Sequence, residues 1–458
     1  ISVRAYSLVA SEENQTMASK PVVIEDYLFN SFTDGNGTSE NPYLITDEQT
    51  LALIKYNNIA CYKLSQNIDL TNNWTPLFND TYPFAGCLDG NGKTIKGLRI
   101  VDTYTYSGLL GYIGSDTVSD DRVVDGVRTE FIPSENQTVK GKVYNIDFND
   151  ALVSSGLNVA VIAGVNEGEI LKVNIRNARI TSNSEILVDV GASYKSIYSG
   201  LVVAENKGRI EQVSVQNDES NTKVEPTAKT TLYSGGICAI NSGEIIYCYV
   251  NVDVYGTVSG GISAINNGTI DFCGFYGMIS CANYSSNKTT LIACAGGISA
   301  ISNAGARVSN VIVESDRFAT SEGGISNVSK VNVQSNIVYI GGLIGDNKGK
   351  CFNGYAKIDL FNRSGKDVDC VLGYLFGYNT NNTVNNNKYV LSNETEALVE
   401  SSGVVIDSSN CEVSGLTSAL IDEFNTSKDN NNFEWAEIGY YQFNDEIKMQ
   451  INFGFNRI

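Results

Sequence analysis

The sequence predicts an all-β protein: a single-stranded, right-handed parallel β-helix, a solenoid closed by short capping helices. Two patterns and one composition point there. A phrase of small residues, an apolar run, Asn-x-Gly and usually Ile returns along the chain. Each return is followed by apolar residues alternating at period two, the mark of a strand with one buried face. Glycine is abundant at 43 residues and proline scarce at 6, which suits many close turns between strands.

The phrase reads AVIAGVNEGEI at 160–170, GLVVAENKGRI at 200–210, GGICAINSGEI at 235–245, GGISAINNGTI at 260–270 and GGLIGDNKGKC at 341–351. A disturbed version, GGISAISNAGARV, stands at 296–308. Its corner residues are Asn166 and Gly168, Asn206 and Gly208, Asn241 and Gly243, Asn266 and Gly268, and Asn347 and Gly349. The Asn anchors recur at irregular intervals, so coils differ in length. An apolar run of strand length leads into the corner, where Asn and Gly tolerate positive φ cheaply. A second strand and then a third complete the coil. The Gly-Gly pairs stack along one edge, where a side chain would block the turn. Antiparallel hairpins fit less well, because the phrases return without the mirror-image spacing of hairpins.

The same register places Cys248 and Cys273, each seven residues after its Asn anchor, one above the other on adjacent coils. Stacked side chains point the same way, so a ladder of buried thiols is favoured over a disulfide. Cys61 with Cys87, and Cys281 with Cys294, are weaker candidates for bridges. Thr46-Asp47-Glu48-Gln49 reads as a capping box opening a short helix at about 47–57, which closes the first coil. TSALIDEF at 417–424 can do the same at the other end. The expected organisation is an N-terminal extension, cap and first coils over 1–100, the β-helix with inserted loops over 101–395, and C-terminal coils and cap over 396–458. Polar insertions fall at 115–140, 216–230, 281–292 and 379–388.

Composition excludes much chemistry. The chain has no histidine, which removes His-based triads, HExxH zinc sites and every histidine general base. Its net charge of -19 argues against nucleic acid or an anionic membrane face as partner. No stretch reaches the roughly 18 apolar residues of a membrane span, and residues 1–25 show no signal-peptide pattern. Low charge with many Asn, Ser, Thr and Tyr suits a secreted or surface-displayed protein.

YLITDEQTLALI (43–54), YKLSQNIDL (62–70), NWTPL (73–77) and FAGCLDGNGKTIKGLRI (84–100) resemble the entry region of bacterial surface proteins carrying GLUG repeats, and the later Asn-x-Gly phrases resemble the repeats themselves. The resemblance covers roughly residues 30–390. Such proteins include adhesin-like chains and the non-catalytic part of some immunoglobulin A-cleaving proteases. It implies a secreted or wall-displayed β-helix and transfers no active site. Ten cysteines depart from the usual pattern.

Candidate site residues are few. Tyr104, Tyr106 and Tyr112 cluster in one coil, and Tyr374 and Tyr378 in another; tyrosine faces stack on sugar rings, although tyrosine also simply fits a pleated surface. Asp34, Asn36 and Glu40 offer oxygens at alternate positions and leave Ca²⁺ as an option, against the simpler reading of a Gly-rich turn. Asp89-Gly90-Asn91-Gly92 reads as a turn between two strands. Asp120 with Asp121, and Asp147 with Asp150, are pairs a glycosidase would need, but solvated loops explain them better. The expectation is therefore a non-enzymatic adhesin or scaffold without a cofactor, meeting an extracellular glycan or cell-surface partner and open to self-association. The alternative is a carbohydrate-active β-helix enzyme, hydrolase or lyase, using Asp or Glu.

Overall fold

In the computed structural model the described residues are 32–118 (except 33 and 103), 137–182, 196–216, 223–226, 231–281, 293–314, 325–327, 337–362 (except 358), 369–380 and 384–389, with the backbone of short strands at 3–5, 8–10, 16–18, 22–24, 411–412, 440–443 and 446–449. The expected helix at 417–424 lies outside them, as do Asp120 and Asp121.

Strands stack in parallel along four sheets, of 15, 8, 7 and 8 strands. One coil shows the path. Thr269–Tyr276 runs in the long sheet, Ile279–Cys281 in the second, Ala293–Gly296 in the third and Ser299–Ser302 in the fourth. Each pairs in parallel with its counterparts one coil away. The fold is a parallel β-helix, as the repeat predicts, with four strands per coil where the sequence pattern suggests three. The extra strand is short and Gly-rich, as in Val258–Gly260, so it carries no alternation to read.

The interior is filled by columns of aliphatic residues in register, such as Ile170, Ile210, Ile245, Ile270 and Val308, all 0% exposed. Each such side chain contributes about 1.5–3 kcal/mol by leaving water. Alternation in the long sheet slips once per coil, as in Ile170, Val173 and Ile175. The slip is a residue in the left-handed region: Asn145, Lys172, Gln212, Tyr247, Phe272, Asn310, Asn353 and Asn386 all have φ between 48° and 56° and occupy one register line. The long strand thus bends in every coil. Stacking rewards the bend: the rings of Tyr247 and Phe272 lie 5.2 Å apart, and Asn386 donates to Asn353 and Asn353 to Asn310, at 2.8 and 3.0 Å.

The Asn-x-Gly corners hold for a different reason from positive φ, which none of their Asn or Gly residues adopts. Asn166, Asn206, Asn241, Asn266 and Asn347 are fully buried. Asn166 Nδ2 donates to Asn206 Oδ1 at 2.8 Å, Asn206 to Asn241 at 2.9 Å, Asn241 to Asn266 at 2.8 Å, and Asn347 to Asn379 at 2.9 Å. Within a corner the Gly N–H donates back to the Asn, as Gly243 does to Asn241. Asparagine is required because its carboxamide both donates and accepts, so one residue satisfies two neighbours. Glycine is required because a Cβ at Gly208, Gly243 or Gly268 would overlap the carbonyl oxygen of the corner glycine one coil earlier. The ladder breaks at Ser302, which stands in register between Asn266 and Asn347 but cannot span to either; its Oγ has no partner. The disturbed phrase is this break, with two extra residues in the corner.

At the N-terminal end, Glu48–Ala52 forms an α-helix continued by a 3-10 turn at Leu53–Tyr56. The capping box is Asp47 with Thr50, not Thr46 with Gln49: Asp47 Oδ1 accepts from Thr50 N at 2.8 Å, and Thr50 Oγ1 accepts from Asp47 N at 3.0 Å. Leu51 and Ile54 are buried in the core, and Phe32 stacks on Tyr43 to close the first coil. Asp89-Gly90-Asn91-Gly92 is not a turn between strands. Cys87–Lys96 is one strand, with a bulge where Asn91 (φ 52°) and Gly92 (φ 65°) loop out against the next coil. Parallel stacking on both sides keeps the chain running forward through a tetrapeptide that would reverse it in a hairpin.

Cys248 and Cys273 are stacked free thiols, as the register predicts. Cys61 and Cys87 are joined in a disulfide between paired positions, whereas Cys281 and Cys294 remain unbridged thiols. Burial pushes the thiols of Cys238, Cys273, Cys294 and Cys351 up, so they stay protonated and act as small hydrophobes.

Asp271 ends the Asn386–Asn353–Asn310 ladder. Its Oδ1 accepts from Asn310 Nδ2 and Ser309 Oγ, both at 2.8 Å. Burial raises its pKa above the ordinary aspartate value, with those two hydrogen bonds opposing. The native protein therefore binds this proton more tightly than the unfolded chain. Asp271 should contribute stability at low pH that is lost as pH rises through its raised native value. Asp271→Asn keeps an acceptor for Asn310 and removes the titration. Urea unfolding midpoints of variant and parent, compared between about pH 4 and pH 7, should diverge in the variant's favour as pH rises.

Candidate functional site

The third and fourth sheets meet at a seam outside the main core. Side chains on the outer face of the third sheet run Tyr106, Asn158, Tyr198, Tyr233, Val258, Cys294 and Tyr339 in register. The facing line of the fourth sheet runs Tyr112, Val165, Glu205, Ile240, Ile265, Ile301, Asp346 and Tyr378. Val258, Cys294, Ala264 and Ala300 form their own apolar cluster, with Tyr233, Ile301 and Tyr339 packed on it. Tyr198 stacks on Tyr233 at 5.2 Å, and Tyr339 on Tyr378 at 5.1 Å. The tyrosines at 198, 233, 339 and 378 and the isoleucines at 240, 265 and 301 are only part-buried. A stripe of Tyr and Ile therefore runs along the solenoid axis.

Two of the predicted tyrosine groups lie at opposite ends of this seam. Tyr106 and Tyr112 meet edge to face at 5.2 Å at its first coil, and Tyr378 closes the other end. Tyr112 is nearly buried, and its hydroxyl donates to Glu167 Oε1 at 2.8 Å, so it is a fixed wall. Burial, then Glu167, pushes its phenol up, and it stays neutral. Tyr374 does not join them: it stacks on Tyr389 at 4.8 Å, over the end of the long sheet.

Tyr104 and Tyr106 line an open cleft of about 350 Å³ with Pro76, Leu77, Phe78, Asn79, Asp80, Thr81 and Thr105. The opposite wall is held by apolar anchors: Trp74, Phe78 and Phe84 are buried, and Trp74 Nε1 donates to Leu109 O at 2.8 Å. The tip is fixed by Asn79, whose Oδ1 accepts from Thr81 N, Tyr82 N and Thr81 Oγ1 at 3.0, 3.0 and 2.7 Å, an Asx turn that presents Asp80 outward. Tyr106 reaches Asp80, and Tyr104 reaches Thr75, through long hydrogen bonds of 3.4 Å. Burial, then Asp80, raises the Tyr106 phenol. Two ring faces beside a carboxylate, a carboxamide and hydroxyls can stack on a sugar and accept from its hydroxyl groups. Asp80 is the one carboxylate of this lining, and paired-carboxylate glycoside hydrolysis needs two.

The remaining candidates are spent on local structure. Asp34 Oδ1 accepts from Gly35 N, Asn36 Oδ1 from Thr38 N and Oγ1, and Glu40 Oε1 from Ser39 Oγ. The Ser39 bond is the first cause holding the exposed Glu40 carboxyl below its usual range. Among the described residues no group of three or more His, Cys, Asp or Glu is placed to hold a metal. Asp147 accepts from Asn174 and Asp150 pairs with Lys96, one on each strand edge. Sequence reasoning missed Asp80, which stands alone in a loop, and Tyr198, Tyr233 and Tyr339, whose common line appears only once coils of unequal length are in register.

The described architecture is that of a parallel β-helix repeat protein. No family model matches the chain. It is 29% identical over 143 residues to halomucin of Haloquadratum walsbyi, covering 29% of this chain and 1% of halomucin. It is 36% identical over 96 residues to a protein of Evansella cellulosilytica described as a Gly-rich membrane protein, covering 19% of this chain and 11% of that one. The chain thus spans a small part of the curated relatives it matches. A Bacteroides ovatus structure assigned as an immunoglobulin A1 protease superposes with a TM-score of 0.42 at 15% identity, over 75% of this chain and 86% of that chain. Among the described residues no helix is long and apolar enough to cross a membrane, which does not bear on strand-built spans.

Proposed function

We propose that this is a non-enzymatic, secreted or surface-displayed protein of the GLUG-repeat type, an adhesin or scaffold that binds glycans from a rigid β-helix. The observation that carries the reading is the cleft in which Tyr104 and Tyr106 stand beside Asp80. A stiff scaffold suits this role, because Tyr104 packs against the core and Tyr106 stands edge to face on Tyr112 before a ligand arrives, so little ordering cost falls on binding. The Tyr and Ile stripe extends the same surface along the axis and offers a longer chain further ring contacts. Asp271, whose pKa burial raises, is engaged with Asn310 and Ser309 in a ladder of the long sheet and does not line the cleft.

A neutral glycan array with the intact chain tests this. Binding should be lost by about tenfold or more in Tyr104→Ala and in Tyr106→Ala, while circular dichroism stays that of the parent. The bound oligosaccharide should be recovered uncleaved. No bound glycan, or binding indifferent to both substitutions, overturns the site; release of shortened products overturns the non-enzymatic assignment.

A further inference from the structure

We infer that a second, separate pocket binds an anionic sugar, a pyranose bearing a carboxylate or sulfate, against the sign of the chain as a whole. The pocket, about 580 Å³, lies on the outer face of the first coils and falls within the usual size of a small-ligand site. Its floor is apolar: the Cys61–Cys87 disulfide, Ile59, Ala85 and Leu171. One wall is the end of an antiparallel hairpin, Ser115–Val118 with Gln137–Lys140, which brings Val139 and Lys140 over the sheet. Tyr144 supplies a ring.

Three lysines line it, and no acidic residue does. Lys142 shares Glu169 at 3.3 Å and lies 5.4 Å from the centre of the Tyr144 ring. Lys140 and Lys172 have no carboxylate partner among the described residues. Asp89 and Asp116 stand near the pocket without lining it and keep their charges, Asp89 accepting from Asn91 N at 2.7 Å and Asp116 from Asn58 Nδ2 at 2.9 Å. After burial, the charge of Asp89 raises the Tyr144 phenol, so the three lysines outweigh these carboxylates rather than act alone. In a chain of charge -19, two unpaired ammonium groups converging with a third on an apolar, ring-bearing pocket form a local positive field. Lys172 is held there by the left-handed bend of its strand (φ 54°), a conformation unfavourable to lysine that the stacked line imposes. Apolar floor and tyrosine ring fit the C–H face of a pyranose, and ammonium groups fit an acid on its rim. This does not rest on the neutral-glycan cleft, which uses other residues.

Calorimetric titration of the intact chain with tetragalacturonate, a sulfated chondroitin tetrasaccharide and neutral cellotetraose tests it. At least one acidic oligomer should bind, weakening about tenfold between low and physiological salt, with cellotetraose absent from this pocket. Lys140→Gln and Lys172→Asn should each weaken acidic binding about fivefold or more and leave neutral-array binding at the Tyr104 cleft unchanged. Asparagine at 172 suits the bend, since the same line carries it at 145, 310, 353 and 386, so the variant should keep the parent's melting curve. Tetragalacturonate carries carboxylate alone and the chondroitin oligomer both uronate and sulfate, so binding of the second without the first assigns the recognition to sulfate. Absence of acidic binding, salt-independent binding, or binding by both lysine variants as tight as the parent's overturns the inference, whatever the outcome at the cleft.

Discussion

Gly261→Val should unfold the protein at much lower urea than the parent, with a loss of more than about 3 kcal/mol. Gly261 has no positive φ, so backbone preference is not the cause. A Cβ there would overlap Gly297 O on the next coil and the ring of Phe275. The same clash recurs up the stack, where Gly236 faces Gly261 O, Gly297 faces Gly342 O and Gly342 faces Tyr374 O. Because one coil sits on the next through hydrogen bonds, such as Ile262 N to Ile298 O at 2.9 Å, the backbone cannot retreat without parting the sheets. Gly305→Ala is the contrast. Gly305 has φ +89° but open space around its would-be Cβ, so its cost is conformational, about 1 kcal/mol. Urea midpoints of the two variants should fall in that order, and a Gly261→Val curve that overlays the parent's would mean that the coils do not abut at this edge.

That contrast also marks what could be read from residues alone. Stacking was legible because Asn241, Asn266 and their following cysteines keep a constant offset while interval lengths vary, and only parallel register turns constant offset into contact. The reason for the corner was not legible. Asn-x-Gly is compatible with left-handed backbone, and only the neighbouring coil shows that the Asn carboxamide and the missing Cβ are what matter. The true left-handed line left no pattern, because Asn145, Lys172, Gln212, Tyr247 and Phe272 share a conformation and nothing chemical. Sites suffered the same way. Tyr104 with Tyr106 is local and visible, whereas Asp80 enters through a loop 24 residues earlier (104 − 80). The lysine pocket needs a hairpin folded back onto four successive strands of the long sheet.

Asn241→Ala should cost about 2–4 kcal/mol, the second large effect, because the substitution strands partners above and below at once. Asn206 Nδ2 loses its 2.9 Å acceptor and Asn266 Oδ1 its 2.8 Å donor, while Gly243 N loses the Oδ1 that closes the corner. All three asparagines are fully buried, so water cannot replace what is lost. Asn241→Asp separates hydrogen bonding from volume. An ionised aspartate still accepts from Asn206 but cannot donate to Asn266, and it places an unpaired charge in the core. It should therefore be worse than alanine near neutral pH and recover on acidification, when the carboxyl can donate. Ser302 shows that a gap in the ladder can be carried, but there the corner has two additional residues, and Asn303 makes its own bond to Asn267 Oδ1 at 2.7 Å. The corner at 241–243 has no such slack. Exposed Ser242→Ala, one residue away, should leave the midpoint within about 0.5 kcal/mol of the parent. Equal effects of Asn241→Ala and Ser242→Ala would show that the ladder contributes nothing to holding the coils together.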